Sequence, residues 1–213
     1  MPVSLTVRSG VLGFVAAAAT ATTPGVAWAS PMPGIEILDD ITSCTAGFAA
    51  AGGAGSDYLL TSGHCASDDG SPWVDAQDNP LGTIVDIENN GGDHDMAAIL
   101  LVSAAGIPSG SVAGHRVRDA LNPDQITVGM TLCKVGARTG ETCGDVTSVG
   151  GNVVEANVFS TEGDSGSPGY VVNPDGTASA VGILAGGPED DDSKSYFVLV
   201  GPLLPQWGLR LLP

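Results

Sequence analysis

Basic residues are scarce in this chain. Seven Lys and Arg stand against 24 Asp and Glu, a net charge of −17 with the histidines neutral. That balance argues against duplex nucleic acid and anionic membrane surfaces as partners, because both are bound through Lys and Arg. Cysteine is sparse too: there are four and no C-x-x-C, so the usual zinc and redox spacing is missing. Nothing resembles H-E-x-x-H or a Cys/His cluster, so neither a metal enzyme nor a cofactor is expected. Charged residues are only 15% against 43% hydrophobic, which argues against a disordered chain. No repeat at solenoid or propeller spacing is present. The 31 glycines have no Gly-X-Y period, which excludes collagen.

What remains is a chain of 213 residues, enough for one or two domains with a sizeable core. Residues 1–29 read as a secretory signal peptide. Arg8 supplies a thin basic region, Val11 to Ala21 an apolar one, and Ala27-Trp28-Ala29 before Ser30 fits the small-residue cleavage pattern. Pro24 and Gly25 interrupt the segment, which argues against a retained anchor helix. No later stretch reaches the length of a membrane span. Residues 30–213 are therefore expected outside the cell or at the cell wall. In an oxidising compartment the simplest reading of Cys44, Cys65, Cys133 and Cys143 is two disulfides, with three pairings open. The nearest-neighbour pairing is Cys44–Cys65 with Cys133–Cys143.

Apolar runs rich in β-branched residues or leucine recur at 57–62, 81–87, 96–102, 125–135, 153–159, 170–173, 178–184 and 196–200, mostly punctuated by Gly, Asn, Asp or Pro. Many short strands with few helical patterns predict an all-β fold, a barrel or sandwich. Ser103–Pro123 has little apolar period and reads as a linker between two halves. Pro202–Pro213 has room for one short helix, although Pro205 falls inside it. The acidic run Glu189–Asp192 reads as a solvated loop.

Three stretches carry chemistry: Thr61-Ser62-Gly63-His64-Cys65, Asp93-His94-Asp95-Met96-Ala97 and Gly163-Asp164-Ser165-Gly166-Ser167-Pro168. Each alone also fits an ordinary loop or turn. Together they supply a serine flanked by glycines that permit a sharp turn, a histidine base and a carboxylate to orient it. The order His, Asp, Ser differs from the subtilisin and α/β-hydrolase orders, and the serine lacks the G-x-S-x-G spacing of esterases.

On these residues the chain resembles the chymotrypsin-fold, trypsin-like serine endopeptidases, most closely the secreted actinobacterial branch of streptogrisins and α-lytic protease. Cys44-Thr45-Ala46-Gly47-Phe48 and Tyr58–Cys65 look like that branch's first disulfide and catalytic-histidine strand. Asp95-Met96-Ala97 resembles the segment around its aspartate, and Cys133–Gly144 its second-half disulfide loop. Gly163–Pro168 resembles G-D-S-G-x-P, with Ser167 at the variable place. The resemblance runs from about Ile35 to the C-terminus.

It implies two antiparallel six-stranded β-barrels, at about 35–105 and 124–205, joined by a linker at about 106–123, with the active site in the cleft between them. It implies a catalytic triad of His64, Asp95 and Ser165 and an oxyanion hole from the N–H groups of Gly163 and Ser165. Asp95 is preferred to Asp93 because only Asp95 has Ala97 two positions on. Ala185-Gly186-Gly187 would be the edge that pairs with a peptide substrate. Lys134 would form a buried ion pair with Asp164, with Arg138 as a second candidate, making the enzyme competent without a new N-terminus. His94 and His115 match nothing and are expected on the surface.

The departures are equally specific. Phe159-Ser160-Thr161-Glu162, just before Gly163, includes no cysteine, so a third disulfide common in the family is missing. Ala185 replaces the serine whose hydroxyl supports the aspartate. No Asp near Phe159 sits where trypsin-like enzymes place theirs. The family's long pro-region has no room between Ala29 and Cys44. The expected function is a secreted, monomeric serine endopeptidase acting on peptides or proteins. The alternative is a catalytically silent protease-fold protein that binds peptides or cell-envelope partners.

Overall fold

The computed structural model describes residue 1 and residues 30–66, 72–91 and 94–213. The leader reading at 2–29 and Asp93 lie outside the described residues. The fold is all-β with one short helix. The first half holds β1 (Glu36–Leu38), β2 (Ser43–Thr45), β3 (Ala49–Ala51), β4 (Asp57–Thr61), β5 (Trp73–Asp75), β6 (Pro80–Gly91) and β7 (His94–Leu101). The second holds β8 (Ser111–Val112), β9 (His115–Ala120), β10 (Thr131–Gly136), β11 (Gly140–Gly150), β12 (Val153–Ala156), β13 (Pro168–Val172), β14 (Ala178–Gly186) and β15 (Ser195–Leu199). Helix α1 (Val200–Leu203) and β16 (Arg210–Leu211) follow.

The second half closes into a six-stranded barrel, β13-β10-β11-β12-β15-β14, through the β13–β14 pairing. Strand β9 adds to β14 in parallel and β8 adds to β9, so the stretch at 106–123 crosses over and joins the second sheet. The first half departs from the expected six-stranded barrel. It is an open ladder of eight strands, β16-β3-β4-β7-β6-β5-β1-β2, a half-barrel completed by the C-terminal strand. The reason lies at Ala46–Phe48, where the chain bends between β2 and β3. The two pieces of that segment lie toward opposite ends of the ladder, so a covalent bend replaces a closing row of hydrogen bonds. Ala46 N–H instead bonds Ile35 O (2.9 Å), and Gly47 N–H bonds Leu60 O (2.6 Å).

Burial follows the strand pattern. Ile37, Leu59, Trp73, Leu81 and Ile99 fill the first half, and Leu132, Val146, Val154, Val181 and Phe197 the second. A third cluster joins the halves: Phe48, Leu60 and Met96 pack with Tyr170, Ile183 and Val198. Strands β4, β7 and β14 are apolar on both faces because each lies between two cores. Their ends carry the polar residues described next.

Candidate active site

The antiparallel register of β4 and β7 pairs Leu60 with Ala98 and Thr61 with Ala97. Continuing past this last pair, the chain after β4 turns at Ser62-Gly63-His64 beside Asp95 at the start of β7. The turn has no room for a side chain at position 63, where a Cβ would lie 2.1 Å from the Glu88 carbonyl and 3.1 Å from Asp95 Oδ1. Asp95 grips the histidine twice. Oδ1 accepts the His64 backbone N–H at 2.7 Å, and Oδ2 lies 2.7 Å from His64 Nδ1. The carboxylate is 8% exposed and the imidazole 41%, so the orienting group is buried while the ring is partly open to solvent. With Nδ1–H donating to Asp95, Nε2 is left as an acceptor. The Cys44–Cys65 disulfide anchors the residue next to His64, and its sulfurs are not available as metal ligands.

The serine turn precedes β13. Pro168 pairs with Ile183, and the ladder continues through Leu184 N–H to Ser167 O (2.9 Å) and Gly166 N–H to Leu184 O (2.9 Å). This sets half-buried Ser165 beside Ala185 and Gly186. Gly166 adopts φ +93°, and a Cβ there would meet Thr45 O at 2.2 Å and Thr61 Oγ1 at 2.3 Å. That contact brings the histidine and serine turns together. Thr45, fully buried, ties them further. Its N–H donates to Ser165 O (2.7 Å), its hydroxyl to Gly163 O (2.8 Å), and its carbonyl accepts the Thr61 hydroxyl (3.0 Å). Ser62 Oγ donates to Leu184 O at 2.5 Å. Thr45 and Ser62 were not singled out from sequence. The available signal was their position beside Cys44 and before Gly63, but Gly163 and Leu184, which their hydroxyls reach, are more than 100 residues away.

Lys134 Nζ lies 3.0 Å from Asp164 Oδ2, and both side chains are 0% exposed. Lys134 also donates to Thr139 Oγ1 and to Gly140 O (3.3 Å). Asp164 accepts N–H groups from Arg138 (3.0 Å), Thr139 (3.2 Å) and Thr161 (3.2 Å), and the Thr139 hydroxyl at 2.6 Å. Burial pushes the Asp164 carboxyl up, but hydrogen bonds from Thr139, Lys134 and Arg138 outweigh it and hold the group below its ordinary value. The Arg138 guanidinium turns away, pairing with Glu36 at 2.8 Å.

No cysteine bridges the loop before Ser165 to the loop after β14. A backbone bond from Ser160 N–H to Asp192 O (3.1 Å) joins them instead. The two loops bound a cavity of about 240 Å³ beside Ser165, lined by Ser160, Glu162, Leu184, Gly187, Glu189 and Asp192 among others. Ala185 and Gly186 end β14, with Gly187 immediately beyond. Phe159 is 49% exposed. His94 and His115 lie at the surface, each partly exposed; His94 Nδ1 lies 3.1 Å from Glu88, and His115 Nδ1–H donates to Gly176 O at 2.8 Å. The Cys133–Cys143 disulfide crosses paired strands β10 and β11.

No protein-family profile matches the chain. The uncharacterized proteins Rv1815 and MT1863 of Mycobacterium tuberculosis are each 34% identical over 192 residues, covering 80% of this chain and 81% of theirs. Among solved structures, Thermobifida fusca Protease A superposes with a TM-score of 0.70 at 24% identity, covering 86% of this chain and 99% of that one. The Nocardiopsis protease NAPase gives 0.70 at 23%, covering 87% and 100%. Alpha-lytic protease homolog N4 gives 0.66 at 26%, covering 85% and 98%. The chain belongs to the same family as the mycobacterial protein Rv1815, and its fold is that of the actinobacterial chymotrypsin-fold serine proteases.

Proposed function

We propose that the protein is a serine endopeptidase that cleaves peptide bonds through an acyl-enzyme. The observation that carries this reading is the double grip of Asp95 on His64, with Thr45 and Thr61 tying the neighbouring strands to the turn of Ser165. Ser165 Oγ attacks the scissile carbonyl while His64 Nε2 takes its proton. The tetrahedral oxyanion lies against the N–H groups of Gly163 and Ser165. His64 then protonates the leaving amine, and the C–N bond breaks. Water, deprotonated by the same nitrogen, releases the acid and restores Ser165. Asp95 fixes the tautomer and stabilises the imidazolium throughout. Oxyanion donors are worth about 10²–10³ each in rate, so the hydrogen bonds holding the Gly163–Ser165 turn matter as much as the triad.

The same reading assigns Lys134 the role of holding Asp164, so that the turn is formed without a new N-terminus. It takes residues 1–29 as a leader removed on export and 30–213 as the protease domain, acting outside the cell as a monomer. Two disulfides support that location. One observation favours a silent, peptide-binding alternative: Ala185 has no hydroxyl to offer Asp95. Hydrolysis of fluorescently labelled casein decides between them. The protease reading expects turnover that falls by at least 10³ in both Ser165→Ala and His64→Ala. Turnover unchanged by either substitution would refute it.

A further inference from the structure

Ser62 is fully buried, yet it carries a hydroxyl where alanine would fill nearly the same space with nothing to satisfy. That hydroxyl donates to Leu184 O at 2.5 Å, from the histidine turn of the first half to β14 of the second. Leu184 O accepts a second bond, from Gly166 N–H at 2.9 Å. A carbonyl oxygen has two lone pairs, and both are taken here. One donor lies two residues before His64, and the other is the residue after Ser165. A single oxygen atom therefore joins the turn that carries the base to the turn that carries the nucleophile. The residue bearing it is itself fixed: Leu184 N–H donates to Ser167 O at 2.9 Å, and Leu184 pairs with Phe197 on β15.

Three restraints on the histidine turn stay within the first half. Gly63 is pressed against the Glu88 carbonyl of β6, His64 N–H is held by Asp95 of β7, and Cys65 is bonded to Cys44. They place His64 against Asp95 and leave its distance from Ser165 open. The Ser62 bond crosses to the second half, at the same atom that holds Gly166. Ala185, the next residue of β14, has no hydroxyl, so β14 reaches the histidine turn here through its main chain. His64 Nε2 must come within hydrogen-bond reach of Ser165 Oγ to take its proton. An error of about 1 Å in such a placement can cost about 10² in rate. We propose that Ser62 is a positioning residue, whose hydroxyl shares the Leu184 carbonyl with Gly166 and so sets His64 at its working distance from Ser165; this rests on the serine-endopeptidase reading above. Removing the hydroxyl leaves Leu184 O with its Gly166 bond. The serine turn and its oxyanion donors then keep their support, and the loss falls on the histidine.

The test is a double-mutant cycle on the purified, oxidised protein. The rate constant for fluorophosphonate labelling of Ser165 is measured in wild type, Ser62→Ala, His64→Ala and the double variant. High probe concentration and long times are used for the last two, since a triad without its histidine keeps residual activity. Thermal unfolding checks each fold. If Ser62→Ala unfolds, Ser62→Cys carries the same comparison, because a thiol is a weak donor. Ser62→Ala is expected to label roughly three- to tenfold more slowly than wild type, the range of one neutral hydrogen bond. The double variant is expected to label within twofold of His64→Ala, because the hydroxyl acts through the histidine. A slowing of less than twofold in Ser62→Ala overturns the proposal and leaves the protease reading standing. So does an equal slowing with and without His64, which would place the effect on the serine turn. A folded wild type that does not label at all removes the protease reading and the proposal with it.

Discussion

Thr45 donates its backbone N–H to the Ser165 carbonyl at 2.7 Å, from the first sheet to the turn that opens the second. Its hydroxyl simultaneously donates to Gly163 O and accepts from Ala137 N–H at 3.0 Å. Removing the hydroxyl leaves a buried N–H and a carbonyl without partners, each costing about 1–3 kcal/mol. Thr45→Val is expected to lower kcat/KM roughly tenfold, mostly in kcat, and Thr45→Ser to restore it. Equal kinetics for the two variants would show that the hydroxyl does not position the turn.

Lys134 and Asp164 are a fully buried pair with their remaining hydrogen bonds made. Lys134→Met removes the charge while keeping much of the volume, and leaves Asp164 ionised and buried. The expected loss is about 3–5 kcal/mol of stability, read by urea unfolding. A loss under about 1 kcal/mol would contradict the structural role, since that is the scale of an exposed pair.

Asp164 also sets an acid limit. Its folded pKa lies below the unfolded value of about 3.9, so the folded state holds its proton less tightly. The resulting stability is complete above about pH 5 and is lost as the pH falls through the folded pKa. Unfolding free energies from pH 6 down to 2 check this. The wild type is expected to lose stability more steeply than Asp164→Asn, which starts lower. Parallel curves would assign acid sensitivity elsewhere.

Asp95 is held against the histidine, while Asp93, two positions before it, lies outside the described residues. Asp95→Asn keeps the shape but presents the wrong hydrogen-bonding pattern to His64. A fall in turnover on the order of 10⁴ is expected, as in triads of this type, with little loss of fold. Asp93→Asn is expected to be nearly silent. The reverse ranking in a peptide-hydrolysis assay would sink the assignment.

The three chemical stretches were legible from sequence because nucleophile, base and orienting acid are rare in that order and context. The strands around them were legible where burial is continuous, as in β7 and β14. Strand β11, Gly-Glu-Thr-Cys-Gly-Asp-Val-Thr-Ser-Val-Gly, was not, because glycine and polar residues have low strand propensity and only pairing with β10 and β12 holds it extended. The open first sheet was also hidden. Gly47 is the one local sign of a bend at residues 46–48, and β16 reaches its partner β3 from the far end of the chain. Glu189–Asp192 reads correctly as exposed, but only the folded loops bring it to the cavity beside Ser165.

The central claim is that Ser165 is an activated nucleophile. Intact and peptide mass spectrometry of the oxidised 30–213 protein after fluorophosphonate treatment tests it most directly, with Ser165→Ala and His64→Ala alongside. The account predicts one adduct per molecule, on Ser165, absent in Ser165→Ala and strongly slowed in His64→Ala. An unlabelled protein with intact disulfides and a cooperative unfolding transition would contradict it.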